Sequence, residues 1–163
     1  WDGLWLAITN QFNWTPLFVF MLFLIFKHYG WKKGLFTMLF IAVLITFSDQ
    51  ITNVIRGIFE RLRPNNDPSI KESLRTLIRP QSFSFASGHA TTSTVVAVFL
   101  IMLLKKHVRY IKLLLLFPLV FAYSRLYLGV HFPIDILFGF MNGTIIGFSA
   151  YALYAVLTEK IFN

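Results

Sequence analysis

The sequence predicts an all-α, multi-pass transmembrane helical bundle with at least five spans and an N-terminal interfacial helix, forming one domain over residues 1–163. Three observations carry this prediction. Hydrophobic residues make up 56% of the chain, charged residues 13%, and mean hydropathy is +0.66, more apolar surface than a soluble core of this length could hide. Five apolar segments approach the ~20 helical residues needed to cross a hydrocarbon layer of roughly 30 Å. Basic residues alternate between crowded and balanced connections, the pattern that orients membrane helices.

Taken in order, Trp1, Leu4, Trp5 and Ile8 recur at helical spacing, which suits a helix lying in the interface with its tryptophans at headgroup depth. The chain opens on Trp1, and a further segment ahead of it is expected. The predicted spans run from Phe12 to Phe26, Gly34 to Arg56, Ala90 to Leu104, Tyr110 to Ser124 and Pro133 to Leu157. Between the second and third lies a polar insertion from Pro64 to Phe85. It begins with the turn-forming run Pro64-Asn65-Asn66-Asp67-Pro68 and continues with an amphipathic patch of Ile70, Leu74, Leu77 and Ile78. The insertion is expected at the membrane interface, as a lid or guide for incoming lipid or as a surface helix covering the bundle end. Gly139, Gly143 and Gly147 form a strip that lets another helix approach the last span closely, within the bundle or across a dimer seam.

Charge assigns the sides. Lys27, Lys32, Lys33, Lys105, Lys106, Arg109, Lys112 and Lys160 face one side with Glu159 as the single acid there. The other side holds Arg56, Arg61, Arg63, Lys71, Arg75, Arg79 and Arg125 against six acids: Asp2, Asp49, Glu60, Asp67, Glu72 and Asp135. The short basic loops are therefore predicted to be cytoplasmic. A pI near 10 does not indicate nucleic acid, because the positive charge is sorted by membrane side rather than gathered on one aromatic-studded surface. With no cysteine in the chain, disulfides and thiolate metal sites are excluded.

This topology brings three polar clusters to the extracytoplasmic face. Arg56 and Arg63 are two helical turns apart and share a face if the second span continues to Pro64, with Asp49 and Asn53 extending that face into the membrane. Ser87-Gly88-His89 precedes the third span, so Ser87 is placed to cap it and Gly88 to let a ligand reach the backbone, where free amides bind phosphate. Ser124-Arg125 ends the fourth span, and His131 stands just before a helix that Pro133 begins. Asp135, in its first turn, can reach back to one nitrogen of His131, fix the tautomer and leave the other nitrogen as an unprotonated nucleophile. Each cluster alone has an ordinary structural explanation, as snorkelling arginines, a serine cap or a helix-dipole carboxylate. Two histidines and an aspartate could also hold zinc, but three arginines beside them already supply positive charge, and a phosphate suits that charge better than a cation does.

Together the clusters resemble the three-part signature of the type 2 phosphatidic acid phosphatase family. That signature is lysine, six residues and Arg-Pro; then Pro-Ser-Gly-His; then Ser-Arg, five residues, His, three residues and Asp. Arg56 stands where the lysine is usual, ahead of Arg63-Pro64, and Ala86 stands where the second part has proline; the third part is complete in Ser124, Arg125, His131 and Asp135. The signature occupies residues 56–135, about half the chain. The resemblance implies a metal- and cofactor-free phosphatase in which His131 attacks phosphorus to form a phosphohistidine, Asp135 supports it and His89 protonates the leaving oxygen. Arg56, Arg63, Arg125, Ser87 and Gly88 would hold the phosphoryl oxygens. Arginine at position 56 keeps the charge with a different fork geometry, so rate or preference can shift.

The activity the resemblance implies is removal of phosphate from a lipid monophosphate or diphosphate at the outer face of the plasma membrane. Undecaprenyl diphosphate is the favoured substrate because the chain is as compact as small bacterial members; phosphatidylglycerophosphate, phosphatidic acid and lipid A phosphates suit the same residues. A non-catalytic lipid-phosphate binder or flippase, or a phosphotransferase resolving the same intermediate on another acceptor, are the rival functions.

Overall fold

The computed structural model describes residues 1–162, and every regular element among them is helical. These are α1 (Asp2–Thr9), α2 (Thr15–Phe59), α3 (Gly88–Leu104), α4 (Leu116–Tyr127) and α5 (Pro133–Phe162), joined by short 3₁₀ turns. The stretches 11–59 and 133–162 are long and apolar enough to cross a membrane, and α3 is a shorter apolar helix.

The 45 residues of α2 form two arms that fold back on each other. Gly30 makes the fold, with φ 68° and ψ −178°, a backbone state that a side chain would strain. The arms close tightly beyond it, since a Cβ on Gly34 would stand 2.6 Å from the ring of Phe26. The first two predicted spans are thus two helices joined at Gly30.

Between the expected third and fourth spans, Lys105–Arg109 make the far turn. The fourth segment begins as a 3₁₀ turn over Ile111–Leu115 and becomes α-helical at Leu116. Pro118 has no N–H for the carbonyl of Leu114, so a regular helix cannot run through that step. The α-helical part covers 12 residues, shorter than the predicted segment.

The central element is α3. It carries small or apolar residues all around, among them Ala90, Thr94, Val95, Ala97, Phe99 and Leu103, and nearly all are buried, as a helix apolar on every face requires. The glycine strip of α5 packs on it: Cβ atoms at Gly139, Gly143 and Gly147 would stand 2.8 Å from Ala90 Cβ, 2.6 Å from Thr91 O and 2.8 Å from Val98 Cβ. The strip therefore serves packing inside the bundle. Far from the polar clusters, Phe36, Phe40, Phe99 and Tyr154 interlock edge to face or stacked, and the Tyr154 hydroxyl meets Thr37 Oγ1 at 2.6 Å. The outer surface remains apolar, with Val19, Phe23, Val43, Val54, Leu137 and Ile145 more than half exposed, a surface that lipid rather than water would solvate.

Two expectations for the polar end need correction. The second arm of α2 stops at Phe59, where Glu60 adopts a left-handed conformation, so Arg63 lies in extended chain and does not share a helical face with Arg56. The patch Ile70, Leu74, Leu77 and Ile78 does not form a helix; its only regular piece is a 3₁₀ turn at Lys71–Ser73. Side-chain amides of Asn65 and Asn66 donate to the carbonyls of Ile78 (3.2 Å) and Pro80 (3.1 Å) and hold the insertion as a folded loop. The predicted N-terminal helix is present as α1 and is docked on α4: Trp5 stacks on Tyr127 and packs tilted against Tyr123, and Asp2 binds Tyr127 and Arg75.

Candidate active site

The residues singled out in the sequence converge at the end of the bundle where α2 finishes, α3 begins, α4 finishes and α5 begins. Ser87 N-caps α3, its hydroxyl accepting from the Ala90 amide at 3.4 Å, and its own amide donates to the Asp135 carbonyl at 3.2 Å. That backbone bond ties the start of α3 to the start of α5. Gly88 lies beneath Arg56, whose Nη2 is 3.0 Å from where a Cβ would be; the missing side chain is what lets the guanidinium lie across the helix start. Arg56 is held in turn by donation from Nε to the Ala86 carbonyl at 3.0 Å.

Arg63 is buried and crosslinks two loops. Its Nε and Nη2 donate to Ser82 O (2.7 Å) and Ser82 Oγ (2.9 Å), and its Nη1 donates to Val130 O (3.0 Å) and faces His131 Nε2 at 3.0 Å. Because a guanidinium only donates, that last contact places the lone pair of His131 on Nε2 and its proton on Nδ1. On the Nδ1 side stand Ser84 Oγ at 3.4 Å and Asp135 Oδ2 at 3.5 Å, and the Ser84 hydroxyl donates to the same carboxylate oxygen. Asp135 is thus not bonded to His131 alone, as expected from the sequence. At 3.5 Å the direct contact is long for a hydrogen bond, as is the 3.4 Å approach of Ser84 Oγ; Ser84 and Asp135, bonded to each other, face Nδ1 together.

The fully buried Asp135 has further support. The Phe132 amide donates to Oδ2 at 2.8 Å, and Arg61 Nη1 donates to Oδ1 at 3.1 Å while its guanidinium lies 4.1 Å from the centre of the Phe132 ring. Sequence reasoning missed Ser84 and Arg61. Both are within a few residues of recognised clusters, but nothing in their spacing marks them; only the folded loops bring them to the carboxylate.

The charges of Arg56, Arg63 and Arg125 lie close enough to act on one another, a setting that favours an anion. Burial pushes the Arg63 guanidinium down to about 10, with the charges of Arg56 and Arg125 adding to the effect and Asp135 opposing it. Burial holds the His131 imidazole down at about 4; the neighbouring Asp135 carboxylate works in the other direction, and Arg63 and Arg125 push further down. His131 is therefore neutral at physiological pH. Arg125 donates from Nη1 to Thr9 Oγ1 of α1 at 2.6 Å, while its buried Nε has no partner among the described residues.

Arg56, Arg63, Gly88, His89 and Arg125 all line one cavity of about 830 Å³. His89 borders it with its ring 4.9 Å from that of Phe121. Below the cations the same cavity runs between the two arms of α2 as far as Ile25 and Met38. From Met38 to Arg56 is roughly 27 Å of helix at ~1.5 Å per residue, close to the thickness of a hydrocarbon layer. Among the described residues no three His, Asp or Glu side chains are grouped as metal ligands.

Arg56, Arg63 and Arg125 thus line a pocket that opens into a long apolar cleft, with the neutral imidazole of His131 behind Arg63; His131 and Ser87 are not among the residues that line it, and the charge and shape of the pocket suit a lipid phosphate. Comparison with known proteins gives the family: the PAP2 superfamily model matches residues 34–159, and the chain belongs to that family. A protein of Bacteroides thetaiotaomicron named lipid A 4'-phosphatase is 34% identical over 166 residues, covering 99% of this chain and 73% of the relative. An undecaprenyl-diphosphatase of Sulfolobus acidocaldarius is 29% identical over 139 residues, covering 85% of this chain and 62% of the relative. The crystal structure of a transmembrane PAP2-type phosphatidylglycerolphosphate phosphatase from Bacillus subtilis matches with a TM-score of 0.66 and 26% identity, over 99% of this chain and 79% of that one.

Proposed function

We propose that this protein is a plasma-membrane phosphatase that removes the terminal phosphate from a lipid monophosphate or diphosphate at the extracytoplasmic face, through a phosphohistidine on His131. The observation that carries the reading is the poise of His131. Its Nε2 lone pair points to the Arg63 guanidinium, where a phosphoryl group would be drawn, and its Nδ1 proton faces Ser84 and Asp135. Nε2 attacks phosphorus, the P–O bond to the lipid breaks, and His89 gives its proton to the departing oxygen. Water then attacks the phosphohistidine, returning a proton to His89 and breaking the P–N bond, which restores His131. Asp135 and Ser84 stabilise the positive charge that grows on the imidazole. Arg56, Arg63, Arg125, the Ser87 hydroxyl and the Gly88 amide take the phosphoryl oxygens and stabilise the transition state. In the resting arrangement Arg63 must exchange its contact with Nε2 for one with the substrate, which ties nucleophile release to phosphate arrival.

In this reading both arms of α2, α3, the 3₁₀ turn with α4, and α5 cross the membrane, five spans in all, with the basic connections in the cytoplasm. A lipid A phosphate is the favoured substrate, supported by likeness to the Bacteroides protein along almost the whole chain. Undecaprenyl diphosphate, favoured on compactness alone, becomes the second candidate, supported by a lower identity over a shorter match. The test is phosphate release by detergent-purified protein, in chelator, from lipid A phosphate, undecaprenyl diphosphate, phosphatidylglycerophosphate and phosphatidic acid, beside His131→Ala. Release by wild type and none by a folded His131→Ala supports the mechanism. Binding without release by wild type would favour a carrier, phosphate passed to an added alcohol in preference to water a transferase, and loss in chelator restored by zinc a metal enzyme.

A further inference from the structure

Immediately below the cations, the cavity wall is neither cationic nor apolar. Asp49, Asn53 and Thr92 line it there. Asn53 and Asp49 lie three and seven residues before Arg56 on one helical face, roughly 5 and 10 Å deeper along the axis. Asp49 is exposed in the cavity; its Oδ1 accepts from Thr92 Oγ1 at 2.7 Å, and Ser48 Oγ lies 3.2 Å from the same hydroxyl. The Asn53 carbonyl oxygen receives only a long 3.4 Å contact from Arg56 Nη1. A carboxylate at this depth is costly unless it has a task, and it should face water or a polar ligand. From Ile45 down, the wall turns apolar.

Resting on the reading of the cations as a phosphate clamp, we infer that Asp49, with Asn53 and Thr92, forms a subsite for hydroxyl or amide donors on a polar spacer between the phosphate and the acyl chains. The cavity presents, in order, a cation cluster, hydrogen-bond acceptors and a greasy cleft, which matches a lipid built as phosphate, donor-bearing spacer and tail. A sugar ring or a glycerol with a free hydroxyl supplies such donors. A prenyl diphosphate does not: its second phosphate or its first isoprene unit would lie against Asp49, and the anion would be repelled there while the hydrocarbon would leave the carboxylate unsatisfied.

The test compares kcat/KM of wild type, Asp49→Asn and Asp49→Leu on four lipids. Lipid A phosphate carries a sugar spacer and phosphatidylglycerophosphate a free glycerol hydroxyl, phosphatidic acid has its glycerol fully esterified, and undecaprenyl diphosphate has no spacer. In Asp49→Leu the ratio of donor-bearing lipid to phosphatidic acid should fall about tenfold, with a smaller fall in Asp49→Asn, and undecaprenyl diphosphate should gain relative to the rest. Which donor-bearing lipid loses most separates sugar from glycerol. Thr92 keeps Ser48 as partner in both variants, and circular dichroism in detergent checks the fold. Equal changes on all four lipids, which leave the ratios as in wild type, would make Asp49 a packing residue, and no change on any lipid would remove it from the site altogether; either result overturns the inference. No release by wild type from any lipid would instead defeat the phosphatase reading itself.

Discussion

Replacing Arg61 with alanine tests the support of the buried carboxylate. Arg61 makes two contacts: a charged hydrogen bond to Asp135 Oδ1 at 3.1 Å and a stack on Phe132 at 4.1 Å. A hydrogen bond to a charged group is worth about 1.5–3 kcal/mol, but Arg61 is 39% exposed, and water entering the truncated site recovers part of that, leaving about 1–1.5 kcal/mol. The stack adds about 0.5–1 kcal/mol. A loss of about 2 kcal/mol expressed in the transition state is roughly 30-fold in kcat, because Asp135 is then less fixed as the imidazole becomes charged. Lysine at this position restores the charge but not the flat stack, so Arg61→Lys should recover several-fold. The assay is steady-state phosphate release from one lipid in mixed micelles, with kcat and KM separated. A rate within twofold of wild type, or a change in KM alone, would refute the argument that Arg61 acts through Asp135.

Two further outcomes follow from packing and protonation. Gly143→Ala should lower the unfolding temperature in detergent, reflecting overpacking of about 1–3 kcal/mol, since its Cβ would meet the Thr91 carbonyl at 2.6 Å; Gly57→Ala, with nothing within 4 Å, should not. In NMR of ¹⁵N-histidine-labelled protein, His131 should remain the neutral Nδ1–H tautomer at pH 6 and titrate near 4, and an ordinary titration near 6.5 would contradict its burial. The linkage has a definite sign. The native imidazole binds its proton below the unfolded value, so the stabilising contribution is complete above about 6.5 and is lost as pH falls from there toward 4.

Much of this protein follows from local pattern along the chain. Hydropathy marked the helical segments, the glycine strip its close packing, Pro133 and Ser87 the helix starts beside the site, and the signature spacing the residues at the bundle end. These are legible because helical period, capping and backbone freedom act over a few residues. Where the chain leaves the helix, pattern stops being informative. Whether α2 continued to Arg63 depended on Glu60 turning left-handed, and the shape of the 64–85 insertion on side-chain bonds from Asn65 and Asn66 to carbonyls more than ten residues away. It took the folded chain to place Ser84 beside both His131 and Asp135, to bring Arg61 to that carboxylate from 74 residues away, and to open the cation pocket into a cleft between the two arms joined at Gly30. Those relations join residues with no common period, so they come into being only when a buried charge finds its partners across the folded chain.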